Sequence, residues 1–294
     1  MMDNENKDKR IPLLIADHLI YEYEGGVDNV RALDDVSFKI EKGEFIGLIG
    51  HTGSGKSTLA EHLNALLTPK SGTIYFNGES IFEKKYDRKR YRGHVGLVFQ
   101  YPEHQLFADT VFEDVCYGPL NNGVSRKQAE LTAYETIKKV GLSDECFYQS
   151  PFDLSGGQKR RAAIAGVLAM KPELLVLDEP TAGLDPAGRE ELLHMISGLR
   201  DEKSMSIVLI SHSMEDVARY ADRIMVMDKG KKVFDAEPIE VFSHAKELEE
   251  MGLAVPAVTS VMLKLKEKGF DVNTGILNVK DAADEIMRVL GDKA

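Results

Sequence analysis

The sequence predicts an α/β fold, a mostly parallel sheet covered by helices. Short apolar runs of strand length recur along the 294 residues, helical patterns stand between them, and one run ends in a glycine-rich turn. Val36–Ile40 alternates apolar and polar residues, as a half-buried strand does. Phe45–Ile49 is apolar throughout, and beyond the turn a helical pattern runs from Lys56 to Leu67. Val95–Phe99, Leu174–Leu177, Ile207–Ile210 and Ile224–Met227 are further buried strands of a parallel sheet. Helices Ala187–Leu199 and Met214–Ala221 separate the last three. Between Gln100 and Lys171 the pattern is helical, with Ser125–Val140 and Gly157–Met170 its clearest parts and no convincing strand. This predicts a helical insertion in the core. Lys229-Gly230-Lys231 predicts a hairpin. Ile239–Met251, Val258–Lys268 and Ala282–Leu290 predict amphipathic helices, and residues 247–294 are expected to form a separate helical appendage.

Composition narrows the function. The charge is 37 − 48 = −11, which disfavours a broad basic face for nucleic acid. No apolar run approaches the roughly 20 residues of a membrane helix. The charged N-terminus, Met1–Arg10, lacks the apolar stretch of a signal peptide. Cys116 and Cys146 make no disulfide framework and show no metal spacing. A cytoplasmic protein with small buried thiols is expected.

Gly50-His51-Thr52-Gly53-Ser54-Gly55-Lys56-Ser57 fits the phosphate-loop pattern G-x-x-x-x-G-K-[ST], in its required place between strand and helix. Glycines let backbone N–H groups turn inward around phosphate oxygens, and the helix start adds its positive dipole end. The nucleotide-binding set from this segment is these eight residues and Thr58. Lys56 is expected at the outer phosphates and Ser57 at Mg²⁺. Leu174–Leu177 leads into Asp178 and Glu179, carboxylates at the end of a buried strand, beside the crevice where such sheets bind ligands. Asp178 suits Mg²⁺, and Glu179 suits polarising the attacking water.

Leu154-Ser155-Gly156-Gly157-Gln158, at the start of a helix, is a second candidate anion site, and with it the chain resembles the ATP-binding cassette ATPases. The resemblance implies a P-loop NTPase (RecA-like) core with an antiparallel β part and a helical subdomain at about 101–170. The cassette spans 12–246. It further implies that two cassettes pack head to tail, so that Ser155, Gly156, Gly157 and Gln158 cover the γ-phosphate held by the partner. Gln100 resembles the glutamine that touches Mg²⁺ and the attacking water. Ala182-Gly183-Leu184-Asp185 resembles the loop lying across the dimer interface, and His212 resembles the switch histidine at the γ-phosphate. Tyr23 resembles the aromatic that stacks on adenine, with Tyr21 the competing candidate. Lys159, Arg160 and Arg161 stand in the first turn of the signature helix, against its dipole; either anionic nucleotide approaches them or they form a solvated cluster.

Phe99–Phe107, Thr110-Val111 and Asp114–Pro119 are similar to the ATPase subunits of energy-coupling factor transporters, importers of vitamins and metal ions. The appendage is similar too, and in that family it helps hold the dimer. Gly50-His51-Thr52-Gly53 and Tyr101-Pro102-Glu103-His104 resemble the second of two paralogous ATPases. This implies a heterodimer with the first paralogue, a transmembrane coupling subunit, an indirect substrate-binding membrane subunit, and a peripheral place on the cytoplasmic face of the cell membrane. Gln105-Leu106-Phe107 borders the family's groove for coupling helices. His51 and His104 are expected as loop residues rather than metal ligands. A non-transport cassette ATPase acting on nucleic acid or the ribosome is the rival, disfavoured by the single cassette, the absence of a heptad run and the acidic charge.

Overall fold

The computed structural model describes residues 11–24, 29–203 and 205–291; the charged stretch 1–10 lies outside them. The chain opens with β1 (Leu14–Tyr23), β2 (Val30–Ile40), β3 (Phe45–Ile49) and α1 (Lys56–Leu63). β4 (Ser71–Phe76), β5 (Glu79–Ser80), α2 (Arg88–His94) and β6 (Val95–Val98) follow. A 3₁₀ turn at Pro102–Gln105 then leads into α3 (Val111–Asn121), α4 (Arg126–Lys139) and α5 (Gly156–Leu168). The chain re-enters the sheet through β7 (Leu174–Asp178), α6 (Pro186–Lys203), β8 (Ser206–Ile210), α7 (Met214–Tyr220), β9 (Arg223–Asp228) and β10 (Lys231–Ala236). Helices α8 (Pro238–Ser243), α9 (Ala245–Glu250), α10 (Ala257–Glu267) and α11 (Val279–Gly291) close it.

The central sheet runs β10-β9-β3-β8-β7-β6, parallel from β9 to β6, with β10 antiparallel at the edge. Every residue of β3, β6, β7 and β8 is buried, which is why these strands read as unbroken apolar runs. Their period of two splits the core. Leu175, Leu177, Ile207 and Leu209 face the helical layer of α3, α4 and α5, whereas Leu174, Val176, Val208 and Ile210 face a second, antiparallel sheet. That sheet has the order β2-β1-β4-β5.

Three expectations change in extent. Val36–Ile40 is only the second half of β2, and the structure adds β1 and β4 to the strands expected from the sequence. β1 hides because bulges and the left-handed His18 (φ 50°) break its alternation. α1 stops at Leu63, not Leu67: Ala65 turns left-handed (φ 56°), and the Tyr91 hydroxyl and Arg92 guanidinium take the Leu63 and Ala65 carbonyls. The helix expected over 239–251 is two, divided at His244, whose ring lies against Phe234 while its Nδ1 meets Glu247 Oε1 at 2.8 Å. The hairpin forms as expected, with Lys229 and Gly230 both at positive φ (47° and 79°).

At the C-terminus, Leu248 and Leu253 pack with Ile49, Val217 and Val226 of the main body. A separate small cluster, built on Met262, Val272, Ala282 and Val289, holds α10 and α11 together.

Candidate nucleotide site

Four parallel strands aim their C-terminal ends at one crevice. β3 delivers the loop Gly50–Ser57, β7 delivers Asp178 and Glu179, β8 delivers His212, and Gln100 lies two residues beyond β6. The loop is pinned from outside: Gly230 N–H donates to the Ser54 carbonyl at 3.0 Å, and His51 Nε2 lies 3.0 Å from Asp228 Oδ1. His51 Nδ1–H donates to the Thr52 carbonyl at 2.6 Å. Gly55 caps α1 at φ 104°, with Ala32 O only 2.3 Å from where a Cβ would stand. No side chain caps α1, so its first N–H groups are left for a ligand. Thr52 and Gly53 are exposed, whereas Ser54 is fully buried.

Lys56 is buried and folded into the loop. Its Nζ donates to Gly50 O at 2.7 Å and His51 O at 2.9 Å, with Ser54 Oγ at 3.5 Å. Burial draws its pKa down, against the pull of the Glu179 and Asp178 carboxylates. Asp178 is buried as well. Burial raises its carboxyl above the usual range, partly offset by a hydrogen bond with Ser57. Glu179, at φ 49°, has both oxygens engaged: Gln100 Nε2–H donates to Oε2 at 3.0 Å, and His212 Nε2 lies 2.7 Å from Oε1. A left-handed glutamate costs of order 1–3 kcal/mol, held here by Glu179 N–H donating to Ile210 O at 3.0 Å.

Tyr23 is 42% exposed, and its hydroxyl is 3.1 Å from Thr58 Oγ1, at the first turn of α1. Tyr21 is instead half-buried, packed on the core and edge-on to His62. Of the two, Tyr23 is the more exposed ring beside the loop, and it packs edge-on against Tyr21.

The second anion-site candidate differs. Ser155 caps α5 in a full capping box: Gln158 N–H donates to Ser155 Oγ at 3.3 Å, and Ser155 N–H donates to Gln158 Oε1 at 2.9 Å. Around Gly156 and Gly157 a Cβ would meet nothing within 4 Å. Asp185, before α6, accepts from Gly188 N–H at 2.7 Å, as a helix cap does.

In the basic run after the signature the two arginines correct the expectation, while Lys159 is half-buried. Arg160 is 4% exposed, neither solvated nor open to nucleotide. It pairs with Glu103 and donates to the Ala182 carbonyl, while Arg161 donates to Val140 O and Glu191. Sequence reasoning missed Glu103 and Asp228 as partners. Asp228 had a signal, a carboxylate at a strand end; Glu103 had none, because its partner lies 57 residues away.

Residues 33–182 match the family model described as ABC transporter. The chain is 51% identical to the energy-coupling factor transporter ATP-binding protein EcfA2 of Caldanaerobacter subterraneus subsp. tengcongensis, over 88% of this chain and 91% of that one. It is also 51% identical to the protein of the same name from Clostridium tetani, over 90% and 92%. Among solved structures it is similar to cbiO1 from Clostridium perfringens, part of the ABC transporter complex cbiONQ, at 34% identity and TM-score 0.72 over 88% and 97%. The cassette MJ0796, a dimer bound to ADP and Pi, aligns at 26% identity and TM-score 0.70 over 76% and 98%. The chain therefore belongs to the ABC transporter family and, within it, to the ATP-binding subunits of energy-coupling factor transporters.

Proposed function

We propose that this chain hydrolyses ATP, with Glu179 as the base, to drive import through separate membrane subunits. The observation carrying the reading is the Glu179 carboxylate at the end of β7, gripped by Gln100 and His212 beside the buried Lys56 and the Ser57–Asp178 pair. The loop from Gly50 to Thr58 and the uncapped start of α1 bind the phosphates, and Tyr23 carries the adenine. Once γ-phosphate is bound, Lys56 exchanges its loop carbonyls for phosphate oxygens. His212 then turns from the carboxylate to the phosphate, and the freed Glu179 oxygen accepts the proton of the attacking water.

The residues fit Mg²⁺. Ser57 and Asp178 offer hard oxygen donors in contact with one another, Gln100 adds an amide oxygen, and a cation would relieve the burial that raises the Asp178 carboxyl. When bound, Mg²⁺ supplies Lewis-acid charge stabilisation at the phosphate oxygens.

Gly156 and Gly157 support a composite site. Neither backbone angle nor packing within the chain demands glycine there, so their bareness serves something arriving from outside. Head-to-tail pairing with a paralogous ATPase puts the partner's γ-phosphate there, within reach of the signature N–H groups. Among the described residues no helix is long and apolar enough to cross a membrane. In keeping with its membership of the transporter ATP-binding subunits, the chain docks peripherally on a transmembrane coupling subunit at the cytoplasmic face, and reaches the substrate-binding subunit only through it. Phe107, 59% exposed and edge-on to the exposed Tyr117, is the apolar surface offered for that docking.

Glu179→Gln in the assembled complex tests the base. Hydrolysis is expected to fall by about 10²–10⁴-fold with ATP binding retained. Hydrolysis at the parent rate would place the base elsewhere.

A further inference from the structure

Arg160 lies at the junction of three segments that the site otherwise keeps apart. Its Nη2 and Nε donate to Glu103 Oε1 (3.0 Å) and Oε2 (3.3 Å), and its Nη1 donates to the Ala182 carbonyl at 2.6 Å. Glu103 belongs to the 3₁₀ turn that follows Gln100 and Tyr101, and Arg160 sits in the second turn of the signature helix α5. Ala182 stands midway between Glu179 and Asp185, with its own N–H donated to the Glu179 carbonyl at 3.1 Å. Burial pushes the Glu103 carboxyl up, but the hydrogen bond and charge of Arg160, with a backbone hydrogen bond of the turn, together outweigh it and hold the group below its ordinary range. A fully packed guanidinium serving two elements in its fixed fork leaves little freedom for either to move alone.

We infer that Arg160 is a positioning residue, a strut that makes the Pro102–Gln105 turn, the signature helix and the Glu179–Asp185 loop move as one body. A displacement of the turn at the docking face is thereby carried to the backbone beside the catalytic carboxylate and to the signature that closes on the partner's nucleotide. Tyr101 at φ 57° gives the turn a strained joint just after Gln100, so the turn shifts with α5 while Gln100 stays with β6. The inference deepens the proposed ATPase function and rests on it only for its catalytic arm.

The test uses the full chain carrying Glu103→Gln, Arg160→Lys, Arg160→Gln, or both glutamines. Amide exchange read by mass spectrometry on the isolated chain is the arm independent of catalysis. Glu103→Gln is expected to speed exchange over residues 181–185 by about tenfold, the worth of one charged hydrogen bond, although Glu103 touches none of them. Binding of a fluorescent ATP analogue is expected to stay within about twofold, because the Lys56 loop is untouched. In the assembled complex, kcat is expected to fall about tenfold with KM nearly unchanged, as for an interaction that matters in the transition state. Arg160→Lys is expected not to rescue, since an ammonium cannot span a carboxylate edge and a carbonyl together. The double glutamine variant should be no worse than Arg160→Gln alone, as for members of one network. Faster exchange confined to residues 101–107, full rescue by lysine, or multiplying effects of the two glutamines would each overturn the strut. Absence of hydrolysis by the parent complex would sink the ATPase reading and leave the exchange result standing.

Discussion

The two helix N-termini offered to phosphate, α1 and α5, are built in opposite ways. α1 has no side-chain cap, a left-handed glycine in front of it and a buried lysine curled among its own loop carbonyls. α5 is complete in itself, with Ser155 and Gln158 exchanging hydrogen bonds in a capping box and two glycines facing open space. An uncapped helix start is unstable without a ligand, whereas a capped one stands alone. The first is thus a socket whose polar groups need nucleotide, and the second a finished surface able to approach a nucleotide held elsewhere. That asymmetry is what a site shared between two chains requires.

The largest expected effect falls on the socket. Lys56→Ala removes the charge aimed at the outer phosphates, and its burial means that no neighbour can swing in to replace it. Hydrolysis in the assembled complex should fall to background, and the isolated chain should lose tight binding of a fluorescent ATP analogue. Unchanged turnover would remove the loop from the chemistry and break the comparison at its root.

Next comes the surface. Ser155→Arg places a bulky cation at the bare N-terminus of α5 and forfeits the cap, which costs about 0.5–2 kcal/mol. Nucleotide binding to the isolated chain should survive, because Lys56 keeps its own contacts, while hydrolysis of the nucleotide on the partner's loop should be strongly impaired. If the isolated chain loses its own nucleotide, both motifs act within one chain and the shared-site reading fails.

Much of this contrast was legible in the sequence, because local chemistry writes it. A strand, a glycine turn and a lysine at fixed spacing can fold only one way around a phosphate. Leu154–Gln158 reads as a helix start suited to an anion, although the capping box that Ser155 and Gln158 close appears only in the structure. The buried strands β3, β7 and β8 were plain as well, since burial on both faces leaves an unbroken apolar run. The antiparallel sheet was half hidden, as bulges and His18 scramble the alternation of β1. Arg160 was misread because a sequence shows a charge and not its partner. A guanidinium in a helix's first turns looks solvated until the fold brings Glu103 and Ala182 to it. In the Asp228–His51 pair the strand-end carboxylate was visible but its partner, 177 residues away, was not.

The smallest effect discriminates most finely, because it separates what glycine does at the two helix starts. At Gly55 an added methyl would sit 2.3 Å from the Ala32 carbonyl on a left-handed backbone, so Gly55→Ala must deform the loop and should cost about 1–3 kcal/mol. At Gly157 the same methyl meets nothing, and alanine is the better helix former by up to about 1 kcal/mol. Gly157→Ala should therefore leave the thermal midpoint of the isolated chain unchanged or slightly raised, and its nucleotide binding intact. In the assembled complex the methyl stands where the partner's phosphate must come close, and hydrolysis should drop. Parent-level hydrolysis with a raised midpoint would mean that nothing approaches these glycines, and that the open face of α5 is merely open.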